Sequence, residues 1–332
     1  MPQLPSDIQD LLFKPKPFSA PIDDPYERPV AELIRPASEV DGTPLANMFG
    51  IPFDTSILGR RGAKSGPGAV RSGLETFLCY DPNIDVDLSG APRVADHGDV
   101  DVMFTDVDAT WDRVTKVTKA MVELGSPVVA IGGDHGLTFP LIRGVSQAVE
   151  GRVGVISVDG HLDVRISHHG EKSSGVPFRY MLEELPDKVR GENFTEFGIG
   201  GWLNTKMYRD YLAEKQARVI TGREIWKGDF SALAREAIER AADGTEAMYL
   251  TFDIDAIEGA VVGGTNSPAI GGLHPFEALE LVHEFAKHPK ALAMDVMEVA
   301  PVYDHSGLSE RTAGSLILHF LAGRYVASQT AA

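Results

Sequence analysis

A single cysteine, Cys79, leaves no partner for an internal disulfide and excludes any metal site built from several thiolates. Long apolar runs are missing too. None approaches the roughly 18 residues of a membrane-spanning helix, so no membrane partner is expected. Basic residues are few, 31 Lys and Arg against 48 Asp and Glu, and a net charge of -17 argues against a nucleic-acid backbone or an anionic lipid surface. No GxxxxGK[ST] string is present to cradle a phosphate. The N-terminal MPQLPSDIQDLLFKPKPF lacks a basic start followed by an apolar stretch, so no secretory signal is expected and a cytoplasmic location is the default.

What is present is the composition of a globular protein, 43% hydrophobic and 24% charged over 332 residues. Residues 1–36 hold 8 of the 21 prolines, spaced so that neither helix nor ladder can run far, and are expected to form an arm. Beyond it, apolar, β-rich runs alternate with helix-period segments. The strands are expected at 46–53, 128–131, 153–158, 194–199, 217–221, 248–252 and 291–296. Helical periods occupy 110–124, 138–147, 205–216, 230–242, 276–287 and 312–327. Strands apolar on both faces and separated by helices imply a three-layer α/β sandwich with a central, mainly parallel sheet. No internal repeat or Gly/Ser linker divides residues 37–332, so one domain is expected there. The segments do not divide into the eight regular units of a barrel.

In such a sheet, ligands collect at the carboxyl ends of the strands. Four of these ends are unusually polar: Gly132-Gly133-Asp134-His135, Asp159-Gly160-His161-Leu162-Asp163, Asp253-Ile254-Asp255, and Asp295 to Glu298. Asp159, His161 and Asp163 alternate, and extended geometry would aim all three to one side. Asp253 and Asp255 repeat the spacing. Carboxylates converging at a buried sheet end repel one another unless cations neutralise them. Mixed imidazole and carboxylate donors without sulfur suit Mn, Ni, Zn or Fe better than Ca, and His135, Asp159, His161, Asp163, Asp253 and Asp255 are generous for one ion. Two ions fit better. Asp134, beside His135, is expected to orient a ligand or a loop amide. A two-ion site can acidify a water and deliver hydroxide to an electrophilic carbon, which makes hydrolysis the natural reaction class.

Read together, GGDHG at 132–136, DGHLD at 159–163, TFDIDAIEG at 251–259 and MDVMEVAPVYD at 294–304 resemble the ureohydrolase (arginase and agmatinase) superfamily. GIPFDTSILGRRGAKSGPGAVR, from Gly50, is similar to that family's first loop. The resemblance implies an arginase-like sandwich and a homotrimer or homohexamer. It also implies a binuclear manganese or nickel centre that cleaves amidino or guanidino carbon–nitrogen bonds. One ion would take His135, Asp159, Asp163 and Asp253; the other would take Asp159, His161, Asp253 and Asp255. Hydroxide between the ions would attack the amidine carbon. Glu298 would accept the substrate's amidinium.

The family's usual loop histidine is replaced by Ser174, which leaves His168 and His169 in the same loop as candidate proton carriers beside the catalytic candidates Glu298 and Asp163. SSGVPF at 173–178, GRRGA at 59–63 and the DxHxDxR string ending at Arg165 resemble the formimidoylglutamase branch, which converts N-formimino-L-glutamate to glutamate and formamide. A substrate with two carboxylates calls for basic partners, and Arg60, Arg61, Arg165 and Arg179 are available, with Ser174 a further substrate-binding candidate. Agmatine, guanidinobutyrate or another small guanidine is the alternative substrate. A deacetylase relative would carry one zinc and a tyrosine. A non-catalytic subunit of a hetero-oligomer is the alternative of another class.

Overall fold

The computed structural model describes residues 5–10, 12–13, 24, 26–166 and 171–330. Its strands are β1 (Leu12–Phe13), β2 (Ile34–Pro36), β3 (Asn47–Gly50), β4 (Tyr80–Asp81), β5 (Val86–Asp87), β6 (Val94–Val100), β7 (Val128–Ile131), β8 (Val153–Val158), β9 (Phe194–Ile199), β10 (Arg218–Thr221), β11 (Ala247–Asp253) and β12 (Ala291–Met297). Strands β4 and β5 form a separate hairpin. Among the described residues the other ten make one sheet in the order β1-β6-β3-β7-β12-β11-β8-β9-β10, with β2 also against β6, and only β1 pairs antiparallel in it.

The central strands are valine- and isoleucine-rich and buried on both faces because helices cover both. Alternate side chains of each strand enter different cores. Met48, Ile156, Leu250 and Met294 face the helices Phe230–Ala242, Pro275–Lys287 and Leu308–Thr330. Phe49, Val155, Tyr249 and Ala293 face the helices Val107–Glu123, Thr138–Ala148 and Pro177–Glu184. This is the expected three-layer sandwich.

Part of the proline-rich segment joins the sheet. Ile34–Pro36 runs parallel to Val94–Asp96, and Leu12–Phe13 pairs with Val100 and Asp99. Pro36 is tolerated because β2 is an edge strand, where a missing N–H breaks no ladder. For the site, the decisive feature is the crossover from β7 to β8. It passes over β12 and β11, so the four strands with polar carboxyl ends are adjacent, in the order β7, β12, β11, β8.

Candidate metal centre

The chain leaves β7 through a turn in which Gly133 has no room for a side chain: a Cβ would meet the Phe53 carbonyl oxygen at 1.7 Å. That carbonyl also accepts the Asp134 N–H at 2.9 Å. Asp134 caps the next turn by accepting from Gly136 N at 3.1 Å, and it takes the Ser56 hydroxyl at 2.7 Å. Its work is to hold a loop amide and the 53–56 segment. The ring of His135 is left to other partners.

After β8, Asn204 clamps the ligand string, accepting from Leu162 N at 2.8 Å and donating to Gly160 O at 3.1 Å. The string does not stay extended as its alternation suggested. Asp163 adopts φ 40°, a left-handed conformation that costs a non-glycine residue on the order of 1–3 kcal/mol. The turn swings Asp163 to His135 while His161 goes to Asp255. At the end of β11, Asp253 accepts from Asp255 N at 2.8 Å and so fixes the spacing of the pair.

All six expected ligands therefore meet. His135 Nδ1 lies 3.0 Å from Asp159, 3.2 Å from Asp163 and 3.3 Å from Asp253. His161 Nδ1 lies 3.1 Å from Asp255 and 3.4 Å from Asp159. Two donor clusters result, His135/Asp159/Asp253 and Asp159/His161/Asp255, each with its donor atoms within 4.8 Å of one another. Asp159 belongs to both.

Electrostatics without ions is strained. Burial and the neighbouring Asp255 and Asp159 hold Asp253 well above the ordinary carboxylate range, and burial and Asp159 push Asp255 up to about 6. Burial alone would lower both imidazoles, yet the facing carboxylates reverse it: His161 is pushed up to about 12 and His135 stands well above its usual value. His135 Nδ1 and Asp159 Oδ2 are buried, close and not in line for a hydrogen bond, as atoms converging on a common point would be. Nitrogen and oxygen donors so arranged fit divalent cations.

Glu298 follows β12 at φ 64° with no exposed surface. Its Oε1 accepts from His135 N at 2.8 Å, while Oε2 is buried without a partner among the described residues. Burial, then Asp253 and Asp134, hold this carboxyl well above its ordinary value.

The expected substrate residues divide. Arg60 spends its donors on the carbonyls of Gly263, Thr265 and Asn266 and stacks 4.0 Å over Tyr303. Arg179 grips the carbonyls of Val164 and Arg165 at 2.9 Å and stacks 3.9 Å over Tyr211. Both arginines tie site loops together. Arg61 is exposed, as is Arg165, whose guanidinium makes no hydrogen bond or ion pair among the described residues. His168 and His169 lie outside the described residues.

Ser174 is buried; its hydroxyl accepts from Leu58 N at 3.1 Å and its N–H donates to Ser56 O at 3.0 Å. Losing one such hydrogen bond costs about 1 kcal/mol, so Ser174→Ala should keep turnover within about tenfold of wild type and chiefly raise KM. A loss of kcat beyond about a thousandfold, measured at saturating substrate, would make Ser174 a proton-handling group instead.

Sequence reasoning missed Thr251, whose hydroxyl meets His135 Nε2 at 2.9 Å, and Ser267, whose hydroxyl lies 3.5 Å from His161 Nε2. Thr251 lies near the end of an apolar strand and opens the TFDIDAIEG string without being a ligand in it. The alternation Tyr249, Thr251, Asp253 was the available signal. A groove of about 910 Å³ lined by Arg152, Glu192, Arg235 and Asp243 opens at the amino ends of the strands, opposite this chemistry.

The sequence pattern of the arginase family matches residues 46–323. A formimidoylglutamase of Halalkalibacterium halodurans is 28% identical over 315 residues, 93% of this chain and 96% of that protein. A mitochondrial agmatinase of Gallus gallus is 31% identical over 278 residues, 83% of this chain and 80% of that protein. The crystal structure of Trypanosoma cruzi formiminoglutamase with Mn2+2 superposes with a TM-score of 0.81 at 27% identity, covering 90% of this chain and 98% of that one.

Proposed function

The chain belongs to the arginase family, and from that premise we propose that it hydrolyses a linear amidine or guanidine carbon–nitrogen bond at a binuclear metal centre, with formiminoglutamate the first candidate substrate. The observation that carries this reading is the pair of donor clusters sharing Asp159. His135, Asp159, Asp163 and Asp253 would hold one ion; Asp159, His161, Asp253 and Asp255 would hold the other. Two divalent cations there supply a nucleophile at neutral pH by acidifying water.

The chain's own groups do the rest. Glu298 has one oxygen committed to His135 N and the other open, which suits a carboxylate that accepts an amidinium N–H and holds the carbon over the centre. Arg165, exposed on the loop after Asp163, is the cation offered to a substrate carboxylate. Water and N-formimino-L-glutamate give formamide and glutamate: oxygen ends on the former imino carbon, and the leaving nitrogen takes a proton. Manganese is placed ahead of nickel on the strength of the manganese-bound relative. A homotrimer or homohexamer and a cytoplasmic setting belong to the same proposal. No helix among the described residues is long and apolar enough to cross a membrane.

The alternative substrate, agmatine or guanidinobutyrate, is favoured by the similarity to agmatinase. Assaying the full chain with Mn2+ or Ni2+ against these compounds separates the readings. Formamide and glutamate from formiminoglutamate are expected. Urea from a guanidine, with formiminoglutamate untouched, overturns the substrate assignment, and two bound ions without turnover of any compound would mark a non-catalytic subunit.

A further inference from the structure

Beneath the ligands runs a second row of polar side chains. The parallel register sets Glu196 of β9 beside Ser157 of β8, Ser157 beside Thr251 of β11, and Thr251 beside Asp295 of β12. All four are at 0% exposure. Register partners share a face, as do residues two apart on one strand, so this row lies one step below Asp159 and Asp253 on the same face of the sheet. Its flanking positions are apolar: Val155 and Tyr249 lie one step further down, Ala130 at the end. Buried polar groups are as a rule hydrogen-bonded; among the described residues Ser157 Oγ and both Glu196 carboxyl oxygens make no hydrogen bond, whereas Thr251 and Asp295 are paired.

At the β12 end the protons can be counted. Asp295 Oδ1 accepts the Thr251 hydroxyl at 2.6 Å, and Oδ2 accepts those of Tyr249 at 2.7 Å and Thr138 at 2.9 Å. The Phe252 N–H also approaches Oδ1, at 3.4 Å, and Thr138 Oγ lies 3.1 Å from Thr251 Oγ. A hydroxyl has one proton to give. Thr251 spends it on Asp295, so towards His135 Nε2, 2.9 Å away, its oxygen is an acceptor. Nε2 must then carry the hydrogen of the neutral ring. That leaves the Nδ1 lone pair facing Asp159, Asp163 and Asp253, where an ion would sit.

We infer that Asp295 and Thr251 are positioning residues that fix the tautomer and orientation of His135 for metal binding. The inference rests on the metal-centre reading above. Neither residue touches substrate, so the readout is metal affinity. Thr251→Val keeps the shape and removes the acceptor; Thr251→Ser keeps the acceptor; Asp295→Asn takes away the carboxylate that orients it.

The experiment is calorimetric titration of chelator-treated full-length protein with MnCl2. Thr251→Val and Asp295→Asn should bind Mn2+ about 10–100-fold more weakly than wild type, while Thr251→Ser stays within a few-fold. Raising Mn2+ to saturation should restore most of the kcat of Thr251→Val. Equal affinity of a folded Thr251→Val overturns the inference and leaves the two-metal reading standing, and so does a Thr251→Ser as weak as the valine variant. Should Thr251→Val not fold, Asp295→Asn decides: weaker binding supports the inference and wild-type binding overturns it. A wild type that takes up no Mn2+ overturns both readings together.

Discussion

Asp253→Asn should cost roughly a hundred- to a thousandfold in kcat/KM, on the scale of losing an electrostatic group at a reacting centre, and should reduce bound metal, while the metal-free protein becomes no less stable than wild type. The two halves of this result come from one carboxylate. Asp253 sits 3.3 Å from His135 Nδ1 and belongs to the same donor cluster as Asp159, so its charge is needed when cations are present. Without them it is a liability, because burial and the charges of Asp255 and Asp159 oppose its ionisation. Asparagine removes the charge and keeps the Oδ1 that accepts from Asp255 N at 2.8 Å, so the turn after β11 retains its cap. Elemental analysis, turnover and melting with and without a chelator read the three consequences separately. Wild-type metal content with full activity would remove Asp253 from the site. A metal-free variant that melts well below wild type would show Asp253 to be structural.

His161→Ala should lower metal content and, unlike Asp253→Asn, metal-free stability as well, because without cations this imidazole is held protonated between its carboxylates. The contrast follows from position. His161 faces Asp255 and Asp159, so deleting it leaves two carboxylates without their imidazole.

Much of this site stands in the sequence because the ligands come in short strings placed directly after apolar strands. The strands Val128–Ile131, Val153–Val158 and Phe194–Ile199 lie where the pattern puts them. Strand Val94–Val100 escapes the pattern, since Asp96, His97 and Asp99 break its apolar run. The fold tolerates Asp96 there because Arg71, from the helix Gly66–Leu74, donates to it at 2.7 and 2.8 Å. A pairing of residues 25 apart leaves no periodic trace. The same holds for Arg60 and Arg179. Their residue type suggests substrate carboxylates, but carbonyls more than 200 residues away engage the first, and the carbonyls of Val164 and Arg165 engage the second. Asp163 shows the converse case. Its residue type marks it as a ligand candidate and alternation implies an extended string, whereas a left-handed backbone delivers it to His135.

The metal-free protein should lose stability as pH rises from 7 to 9, and the stabilisation gained on adding Mn2+ should grow over the same interval. His161, pushed up to about 12 by its carboxylates despite burial, keeps in the folded chain a proton that an unfolded imidazole releases near 6.5. Its contribution is therefore complete below that value and is lost as pH climbs towards the folded value. His135 has the same sign. Burial holds Glu298 well above the ordinary range, so the folded chain also retains a proton that an unfolded carboxyl gives up near pH 4, whereas Asp134, raised by burial to about 7, contributes only at the lower end of the interval. Groups of opposite sign drop out: His97, lowered by burial to about 4, is neutral in both states above pH 7, and Asp159, held below the ordinary range by the imidazoles despite burial, is ionised in both. Each proton retained on folding makes stability fall by about 1.4 kcal/mol per pH unit. Metal ligation runs the other way, since cations displace those protons and bind more tightly as pH rises. Melting curves at pH 7, 8 and 9 with chelator and with Mn2+ measure both trends. A metal-free midpoint that rises from pH 7 to 9, with a constant increment from Mn2+, would mean that the imidazoles of His135 and His161 are not held protonated by the carboxylate cluster.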